Sequence, residues 1–517
     1  MRDTGTISGS LQYFKFSLLK TVRILFIDRC ILLQQMPSLL RSVLSILTGK
    51  ISGMVIGLLY TPILVRIISQ KQYGLYASIL AGFSLITLIS KGGLFDACRK
   101  TVAETNSENE EIQKVISVSM TLSLFYGILG TSAVLILLAS GLLPNLYKPY
   151  VLILSFSIIF GNILVIVRGS FFGTQKEFLA EILNVSRQVI YVTTALALAY
   201  LGYDLFGVFI GYVFSFVFAA VVGIIIVSLK FPSFSLPSTE DFSAQGKDIA
   251  TYGGYQLVGG MSAVLLYKAD ILLVEFFHGS TSTALYNSAI VPAEMIWFVP
   301  SVIQLSFLQH VADLWSEDNI EKINQNLKNG FKYGFLSLSL FGVGLFGLAE
   351  PFLSVYFGAE YVDATTTLRV LVMGTFFFGL SRTILPVFQA IGWIRATEFV
   401  TLLSLALNIV LNIMLIPRYG IIGAGIGTMV SYVTIFIGNI IIWQRSSIEI
   451  VSPGWIGRLI ATEGVFMIIF IGLIRTSEFS PLIELIIFPP FGLLIFLGIN
   501  IFAGYLPISV IKSIVIG

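Results

Sequence analysis

The sequence predicts an all-α membrane protein with many transmembrane helices, built around an internal repeat. Three observations support this fold class. The 517 residues are 56% hydrophobic and only 11% charged. Many apolar runs reach about 20 residues, the length that an α-helix needs to cross the hydrocarbon core of a bilayer. One pattern of residues also occurs twice along the chain, which indicates a duplicated architecture.

The composition excludes two other classes of protein. A soluble protein carries roughly 25% charged residues, so this chain has too few to cover a globule in water. A transmembrane β-barrel is built from segments of about 10 residues that alternate between apolar and polar positions, and such segments are not the pattern here. The net charge of +3 is small and gives no reason to expect a nucleic-acid partner.

Apolar runs between polar breaks predict about 14 spans. Their approximate bounds are 44–68, 74–98, 116–140, 150–172, 180–201, 205–229, 249–277, 283–311, 331–357, 364–391, 396–417, 420–444, 455–474 and 482–509. Two pairs of spans are separated only by short breaks, Gly202-Tyr203-Asp204 and Pro417-Arg418-Tyr419-Gly420. Glycine and proline at these positions are typical of helix ends.

Both short breaks belong to the repeated pattern. Its first copy is Tyr203, Gly207, Ile210, Gly211, Ser215 and Val217, and its second is Tyr419, Gly423, Ile426, Gly427, Ser431 and Val433. The repeat unit contains six spans, an even number, so the second half enters the membrane in the same orientation as the first. The sequence therefore predicts two parallel six-helix repeats related by an axis along the membrane normal, with two further C-terminal helices.

The distribution of basic residues predicts the orientation. With the N-terminus inside, about 22 Lys and Arg residues fall on the inner side and about 5 on the outer side, as the positive-inside rule requires. We therefore expect a multi-pass protein of the cytoplasmic membrane with both termini in the cytoplasm.

Five segments follow from this topology. They are a basic N-terminal extension (1–43), a first lobe of six spans (44–230), a cytoplasmic linker (231–248), a second lobe of six spans (249–446) and an accessory pair of spans (447–517). The extension is either an interfacial helix attracted to anionic lipids or a segment with no role. The linker is either a loop or a surface helix.

Ionisable residues inside the spans are the candidates for a substrate or ion pathway, because charge within a bilayer is costly. They are Lys91, Asp96, Lys268, Asp270, Glu294 and Arg382. Cationic groups would suit a phosphate-bearing substrate, and acidic groups could take up H⁺ or Na⁺. Lys268 and Asp270 are about 200° apart around a helix, so they cannot share one face.

Other roles remain open for some of these residues. Lys268 could form a buried ion pair with Glu294. Arg168, Glu181 and Arg187 lie nearer the cytoplasmic ends of their spans, where snorkelling to the membrane surface is the favoured interpretation. Arg369 lies near an outer end, where headgroup contact is favoured.

A second set of candidates concerns helix packing and bending. It comprises Pro62, Gly207, Gly211, Gly259, Gly260, Gly423 and Gly427. Small residues let helix backbones approach closely, and glycine or proline in the helices that open each half would let two lobes rock against one another. The alternative is that these glycines have no special role, because glycine is common in membrane helices.

No pattern of residues points to an enzyme. The only histidines are His278 and His310, no cluster has metal-ligand spacing, and no phosphate-binding loop of the Gly-x-x-x-x-Gly-Lys-Ser/Thr type is present. We therefore expect no catalytic activity, no cofactor and no bound metal centre.

Three stretches resemble a known family. They are "YTPILVRIISQKQYGLYASILAGFSLITLISKGGLFDACRKTVAE" from Tyr60, "KADILLVEFFHGSTSTALYNSAI" from Lys268 and "IPRYGIIGAGIGTMVSY" from Ile416. They are similar to polysaccharide-type flippases of the multidrug/oligosaccharidyl-lipid/polysaccharide exporter superfamily. The resemblance covers about 44–445 and implies a prokaryotic protein with a V-shaped pair of lobes; "GLFDACRK" is similar to archaeal members.

The resemblance also implies a function. It implies alternating-access transfer of an oligosaccharide linked to a polyprenyl or dolichyl phosphate or pyrophosphate from the inner to the outer leaflet, for surface polysaccharide or glycoprotein glycans. H⁺ or Na⁺ as coupling ion, membrane lipids and glycan-assembly enzymes are the further partners. An H⁺- or Na⁺-coupled multidrug exporter of the same superfamily and a non-transporting scaffold for glycan enzymes are the alternatives.

Overall fold

The structure, a computed structural model, describes residues 38–105, 109–231, 237–445 and 452–507. Throughout these ranges the regular structure is helical, which confirms the predicted fold class. Most of the N-terminal extension lies outside the described residues.

The first part of the chain forms seven α-helices. They are α1 (Ser38–Ile67), α2 (Gln70–Lys91), α3 (Leu94–Glu104), α4 (Asn109–Ala139), α5 (Lys148–Gly173), α6 (Glu177–Leu198) and α7 (Asp204–Lys230), with a π-helical turn (Ala199–Tyr203) before α7. Gly92 and Gly93 have φ angles of 55° and 66° and separate α2 from α3. The second span, expected to be continuous over 74–98, is therefore broken.

The rest of the chain forms eight more α-helices. They are α8 (Thr239–Met295), α9 (Phe298–Ser316), α10 (Ile320–Gly347), α11 (Ala349–Phe352), α12 (Thr365–Ala390), α13 (Ile394–Gln444), α14 (Pro453–Arg475) and α15 (Pro481–Phe502). A π-helical turn (Leu353–Phe357) and a 3₁₀ turn (Ala359–Ala364) connect α11 to α12. Ser238 caps α8 through a capping box with Asp241, so residues 239–248 of the expected linker are helical, which was one of its two alternatives.

Within the described ranges, eleven helical segments are long and apolar enough to cross a membrane. Three of them contain 54, 57 and 51 residues, whereas about 20 residues suffice for one crossing. Each of the three contains a glycine outside the helical region of φ and ψ: Gly202, Gly279 and Gly420. Side chains on either side of these glycines contact one another, so the chain folds back there. The number of 14 crossings stays a prediction.

The two copies of the repeated pattern form hairpins with the same kind of close contact. A Cβ atom on Gly207 would lie 2.7 Å from Leu198 Cβ, and one on Gly423 would lie 2.5 Å from the carbonyl oxygen of Leu415. One turn further on, Gly211 and Gly427 are equally crowded by the preceding arm. These four positions have no space for a side chain, so the glycines are a requirement of helix packing.

The two halves meet along α2 and α8. At one end of this seam, Gly74 lies against the backbone of Ser280, and at the other end Gly93 lies against Gly253. A Cβ atom on Gly74 would overlap the Ser280 carbonyl oxygen. Glycine therefore sets the separation of the halves at both ends of the seam.

Hydrogen bonds add to the seam beside Gly74. Asn287 Nδ2 donates to the hydroxyl of Tyr73 at 2.8 Å. Tyr73 also packs on the rings of Phe357 and Tyr361 from the second half. The side chains at this end thus join the halves through both polar and aromatic contacts.

The accessory helices α14 and α15 are joined by a buried polar pair. Asn500 Nδ2 donates to Glu463 Oε1 at 2.9 Å, and both residues are almost fully buried. Phe466 and Phe470 on α14 stack beside this pair.

Candidate functional site

Asp270 lies inside the second half and not on an open surface. Its side chain is 1% exposed. It accepts hydrogen bonds from the Tyr286 hydroxyl, from Thr428 Oγ1 at 3.0 Å and from the Ile271 amide at 2.9 Å. These donors come from α13 and from the two arms of α8, the segments before and after Gly279. The carboxylate therefore joins three helical segments through hydrogen bonds.

Two asparagines extend this network along α13. Asn408 Nδ2 lies 3.5 Å from Thr428 Oγ1, and Asn412 Nδ2 donates to Asn408 Oδ1 at 3.0 Å. Both asparagines are fully buried, and Asn412 Oδ1 accepts no hydrogen bond from the described residues. We call the five side chains the Asp270 cluster: Asp270, Tyr286, Asn408, Asn412 and Thr428.

The donor set of the Asp270 cluster is rich in oxygen. Carboxylate, amide and hydroxyl oxygens are ligands of hard cations, whereas softer transition metals prefer sulfur and imidazole. Within the described residues, no group of three or more His, Cys, Asp or Glu side chains could hold a metal ion. The oxygens of the cluster are therefore of the kind that hard cations prefer, and its carboxylate can also carry a proton.

Arg382 is held in one orientation by four neighbours. Its Nη1 donates to Gln304 Oε1 at 3.1 Å and its Nη2 to the Tyr267 hydroxyl at 3.0 Å. The guanidinium carbon lies 4.8 Å from the ring centroid of Trp297 and 4.9 Å from that of Phe378. Its Nε is buried without a hydrogen-bond partner in the described structure. A guanidinium fixed in this way is ready to bind an anion without further ordering.

Lys268 and Glu294 do not form the ion pair considered from the sequence. Among the described residues, no carboxylate lies within 4.0 Å of Lys268 Nζ. Glu294 Oε1 is buried and has no hydrogen-bond partner within the described chain. The charges of Lys268 and Arg382 nevertheless act on Glu294, so the three residues belong to one polar region of the second half.

The first half contributes a basic group of its own. Lys91 is half-buried, and the positive charges of Arg187 and Arg168 act on it. Arg168 Nη2 pairs with Glu181 Oε1 at 3.0 Å, and the guanidinium of Arg187 lies 4.6 Å from the ring centroid of Phe216. Of these three cations, only Arg168 has a carboxylate within 4.0 Å among the described residues, so the group carries a net positive charge.

Arg168, Glu181 and Arg187 were expected to snorkel to the membrane surface. In the structure the charges of both arginines act on Lys91, and Glu181 pairs with Arg168. A signal for this group was present. Lys91, Arg168 and Arg187 lie on three different predicted spans, each within about two turns of the cytoplasmic end. Cations at one depth on neighbouring helices can line a common space.

Lys50 was not among the candidates that the sequence provided. It lies on α1, and the charges of Arg382 and Glu181 act on it. The basic groups of the two halves are therefore close enough to interact. Asp96 differs from these residues, because its carboxylate pairs with Arg99 at 3.1 Å on a half-exposed surface.

Three tyrosines form a hydrogen-bonded chain in the first half. The hydroxyl of Tyr191 lies 3.0 Å from that of Tyr60 and 2.9 Å from that of Tyr76. They come from α1, α2 and α6, and Tyr212 packs edge-on against Tyr191. Nothing in the spacing of these residues along the chain predicts this group, because each lies on a separate span.

The remaining glycine and proline candidates differ from one another. Gly260 lies near Leu88, with a Cβ distance of 3.3 Å, whereas a Cβ on Gly259 would meet no atom within 4 Å. Pro62 lies inside α1, where it removes one main-chain hydrogen bond. Packing therefore explains Gly260 but not Gly259.

With this geometry established, comparison with known proteins identifies the family. Residues 39–312 match the model of a family described as polysaccharide biosynthesis protein, which is more than half of the chain. The chain belongs to this family. The resemblance to polysaccharide-type flippases that the sequence indicates is thereby confirmed.

Individual relatives have low sequence identity to this chain but align with most of its length. An uncharacterised membrane protein of Methanocaldococcus jannaschii, MJ1068, is 22% identical over 453 residues, which is 81% of this chain and 86% of that protein. The probable flippase AglR of Haloferax volcanii is 21% identical over 62% of this chain and 67% of its own length. A structure of the lipid II flippase MurJ in an inward closed conformation has a TM-score of 0.70 at 18% identity, over 88% of this chain and 98% of that one. This likeness shows a common fold.

Proposed function

We propose that this protein is a flippase for a lipid-linked oligosaccharide that carries a phosphate or pyrophosphate group. The basic residues of the two halves are the observation that carries the proposal. Lys91, Arg168 and Arg187 lie in one half, and Lys268 and Arg382 lie in the other. An anionic headgroup between the halves would be attracted by both, since opposite charges interact strongly where water is scarce.

The side chains around these cations fit the rest of such a headgroup. Arg382 presents a fixed guanidinium beside Trp297, and a planar fork of this kind binds phosphate oxygens in pairs. Aromatic faces and hydroxyl groups suit sugar rings, and the chain of Tyr60, Tyr76 and Tyr191 supplies both. The lipid tail can stay in the membrane while the headgroup crosses between the lobes.

The proposed direction is from the inner to the outer leaflet, in the cytoplasmic membrane with both termini inside. The basic residues Lys91, Arg168 and Arg187 lie toward the predicted cytoplasmic ends of their spans, where a substrate assembled in the cytoplasm would arrive. Glycan-assembly enzymes would supply that substrate, and the relative AglR, a probable flippase, supports this role.

The Asp270 cluster is the proposed site of the coupling ion. Its carboxylate and its buried amide and hydroxyl oxygens can hold Na⁺, or the carboxylate can take up H⁺. Filling or emptying it would change the interactions that join the two arms of α8 to α13. A ligand shifts a conformational equilibrium only when it binds one state more tightly than the other. Because the oxygens of the cluster come from three helical segments, a movement of these segments would change the affinity for the ion.

Reconstituted vesicles test the proposal. The purified protein is placed in liposomes with a fluorescent polyprenyl-diphosphate oligosaccharide, and transfer between leaflets is read from its accessibility to a membrane-impermeant quencher. We expect the wild-type protein to transfer the lipid and the Arg382→Gln and Arg187→Gln variants to be slowed at least about tenfold, about 1.4 kcal/mol in barrier height. Arg395→Gln, at an exposed arginine, is the matched control.

The alternatives give different results. Transfer no faster than in protein-free liposomes, with uptake of cationic dyes instead, would identify a multidrug exporter. No transport of either compound, with normal surface glycans in cells that carry Arg382→Gln, would identify a scaffold.

A further inference from the structure

A pocket at the far end of the second half combines four charges with an apolar wall. It lies where α10 ends, where α12 begins and where the accessory helices α14 and α15 are joined. Its volume is about 410 Å³. The charged residues are two arginines and two glutamates, which we call the four-charge pocket: Glu350, Arg369, Arg475 and Glu484.

The four charges do not neutralise one another in pairs. Among the described residues, no carboxylate lies within 4.0 Å of either guanidinium. Arg369 is anchored through its Nε, which donates to the Phe346 carbonyl at 3.2 Å, and its guanidinium carbon lies 5.8 Å from the Phe346 ring centroid. This anchor uses one edge of the guanidinium and leaves the Nη edge for a ligand.

The carboxylates are placed in a similar way. Glu484 Oε1 accepts a hydrogen bond from Ser477 Oγ at 2.7 Å, which fixes its side chain at the start of α15. Glu350 is exposed at the start of α11. The pocket therefore offers two donors for an anion and two acceptors for a cation, with a balanced total charge.

The wall of the pocket is apolar and is formed where several helices begin or end. Ile471, Ile474 and Phe479 line it beside the charges. Guanidinium groups bind phosphate oxygens in pairs, so the two arginines can receive a lipid phosphate. An acyl chain would contact the apolar side chains, and a headgroup would contact the charged ones.

We propose that the four-charge pocket binds a phospholipid with a zwitterionic headgroup, a phosphodiester joined to a primary amine. Arg369 and Arg475 hold the phosphate, and Glu350 and Glu484 hold the ammonium group. Because the pocket joins the second half to α14 and α15, the bound lipid fastens the accessory pair to the lobe. This role is independent of the transported substrate and of the Asp270 cluster.

Lipid retention by the purified full chain tests the proposal. The protein is delipidated in detergent, incubated with phosphatidylethanolamine, phosphatidylglycerol or inorganic phosphate, and examined by native mass spectrometry and thermal unfolding. We expect one phosphatidylethanolamine to be retained, with a raised Tm, and at least about tenfold weaker retention in Arg369→Gln/Arg475→Gln. Arg395→Gln, away from the pocket, is expected to bind as the wild type does.

The carboxylates give a second arm that separates headgroup recognition from simple anion binding. In Glu350→Gln/Glu484→Gln we expect weaker retention of phosphatidylethanolamine and stronger retention of phosphatidylglycerol, because the pocket becomes net positive. Equal retention of both lipids by the wild type would overturn the proposal, as would equal stabilisation by inorganic phosphate. Retention unchanged in both double variants would also overturn it. Size-exclusion profiles that match the wild type establish that the variants fold.

Discussion

The hydroxyl of Tyr356 donates a hydrogen bond at 2.7 Å to the carbonyl oxygen of Leu58. Leu58 is four residues before Pro62, so this carbonyl is the one that loses its helical partner when proline replaces an N–H donor. A side chain from the other half of the protein thus replaces the main-chain hydrogen bond that α1 lacks at Pro62. Arg66 Nη2 donates to the Val355 carbonyl nearby, at 2.8 Å. Pro62 therefore creates an acceptor that joins the halves.

Tyr356→Phe is expected to loosen this contact. The substitution leaves the Leu58 carbonyl without a donor, at a cost of about 1–3 kcal/mol if the group stays buried. The state in which the halves are closed at this end should become less populated. Distance distributions between spin labels on α1 and α10 would show the change. Tyr333→Phe, at an exposed tyrosine, is the control, and identical distributions in both variants would contradict the expectation.

Asp270→Asn should remove stabilisation by sodium at the proposed ion site while leaving the chain folded. Asparagine keeps the shape of the side chain but cannot supply a charged carboxylate. If Na⁺ binds the wild-type cluster, a concentration of 100 times Kd stabilises the protein by about 2.7 kcal/mol, and thermal unfolding in sodium against choline salts measures this. Asp313→Asn, at an exposed residue, should keep the full sodium effect. Equal sodium responses in wild type and Asp270→Asn would show that the ion binds elsewhere.

Gly74→Ala should force α2 away from α8. The added methyl group would overlap the Ser280 carbonyl, and overpacking of this kind costs about 1–3 kcal/mol. Gly82→Ala is a matched control on the same helix, because its Cβ would lie 3.7 Å from Leu272, an ordinary contact. We expect a lower Tm for Gly74→Ala alone. Similar values for the two variants would mean that the seam adapts to the methyl group.

Gly259→Ala separates bending from packing. The site has open space around it, so alanine should stabilise the helix by about 0.5–1 kcal/mol. If Gly259 is a point of bending during transport, the same variant should transport more slowly although its Tm rises. Gly464→Ala, in α14 and equally free of neighbours, should raise stability without slowing transport. Unchanged transport in Gly259→Ala would argue against bending at this residue.

The sequence predicts the local features well. The repeated pattern predicts two tight hairpins, and Gly202 and Gly420 lie at their turns. Helical geometry also predicts that Lys268 and Asp270 lie on opposed faces. In the structure Lys268 is half-buried and Asp270 is enclosed. Periodicity gives the direction of a side chain relative to its own helix, and this is sufficient for such predictions.

Contacts between distant segments could not be predicted in the same way. Thr428 reaches Asp270 only because α13 lies beside α8 in the fold, and no property of either segment encodes that neighbour. Arg168 and Glu181 likewise pair across a turn between two helices. A single sequence indicates which residues are costly to bury, and the tertiary arrangement decides which partner stabilises them.

Tyr286 and Asn287 are consecutive residues whose hydrogen-bond partners lie in different halves of the protein. Tyr286 donates to Asp270 inside the second half, and Asn287 donates to Tyr73 of the first half. Only one peptide unit lies between the two side chains, and it is rigid. A shift of this stretch of α8 therefore displaces both side chains together, which couples the interior of one lobe to its boundary with the other.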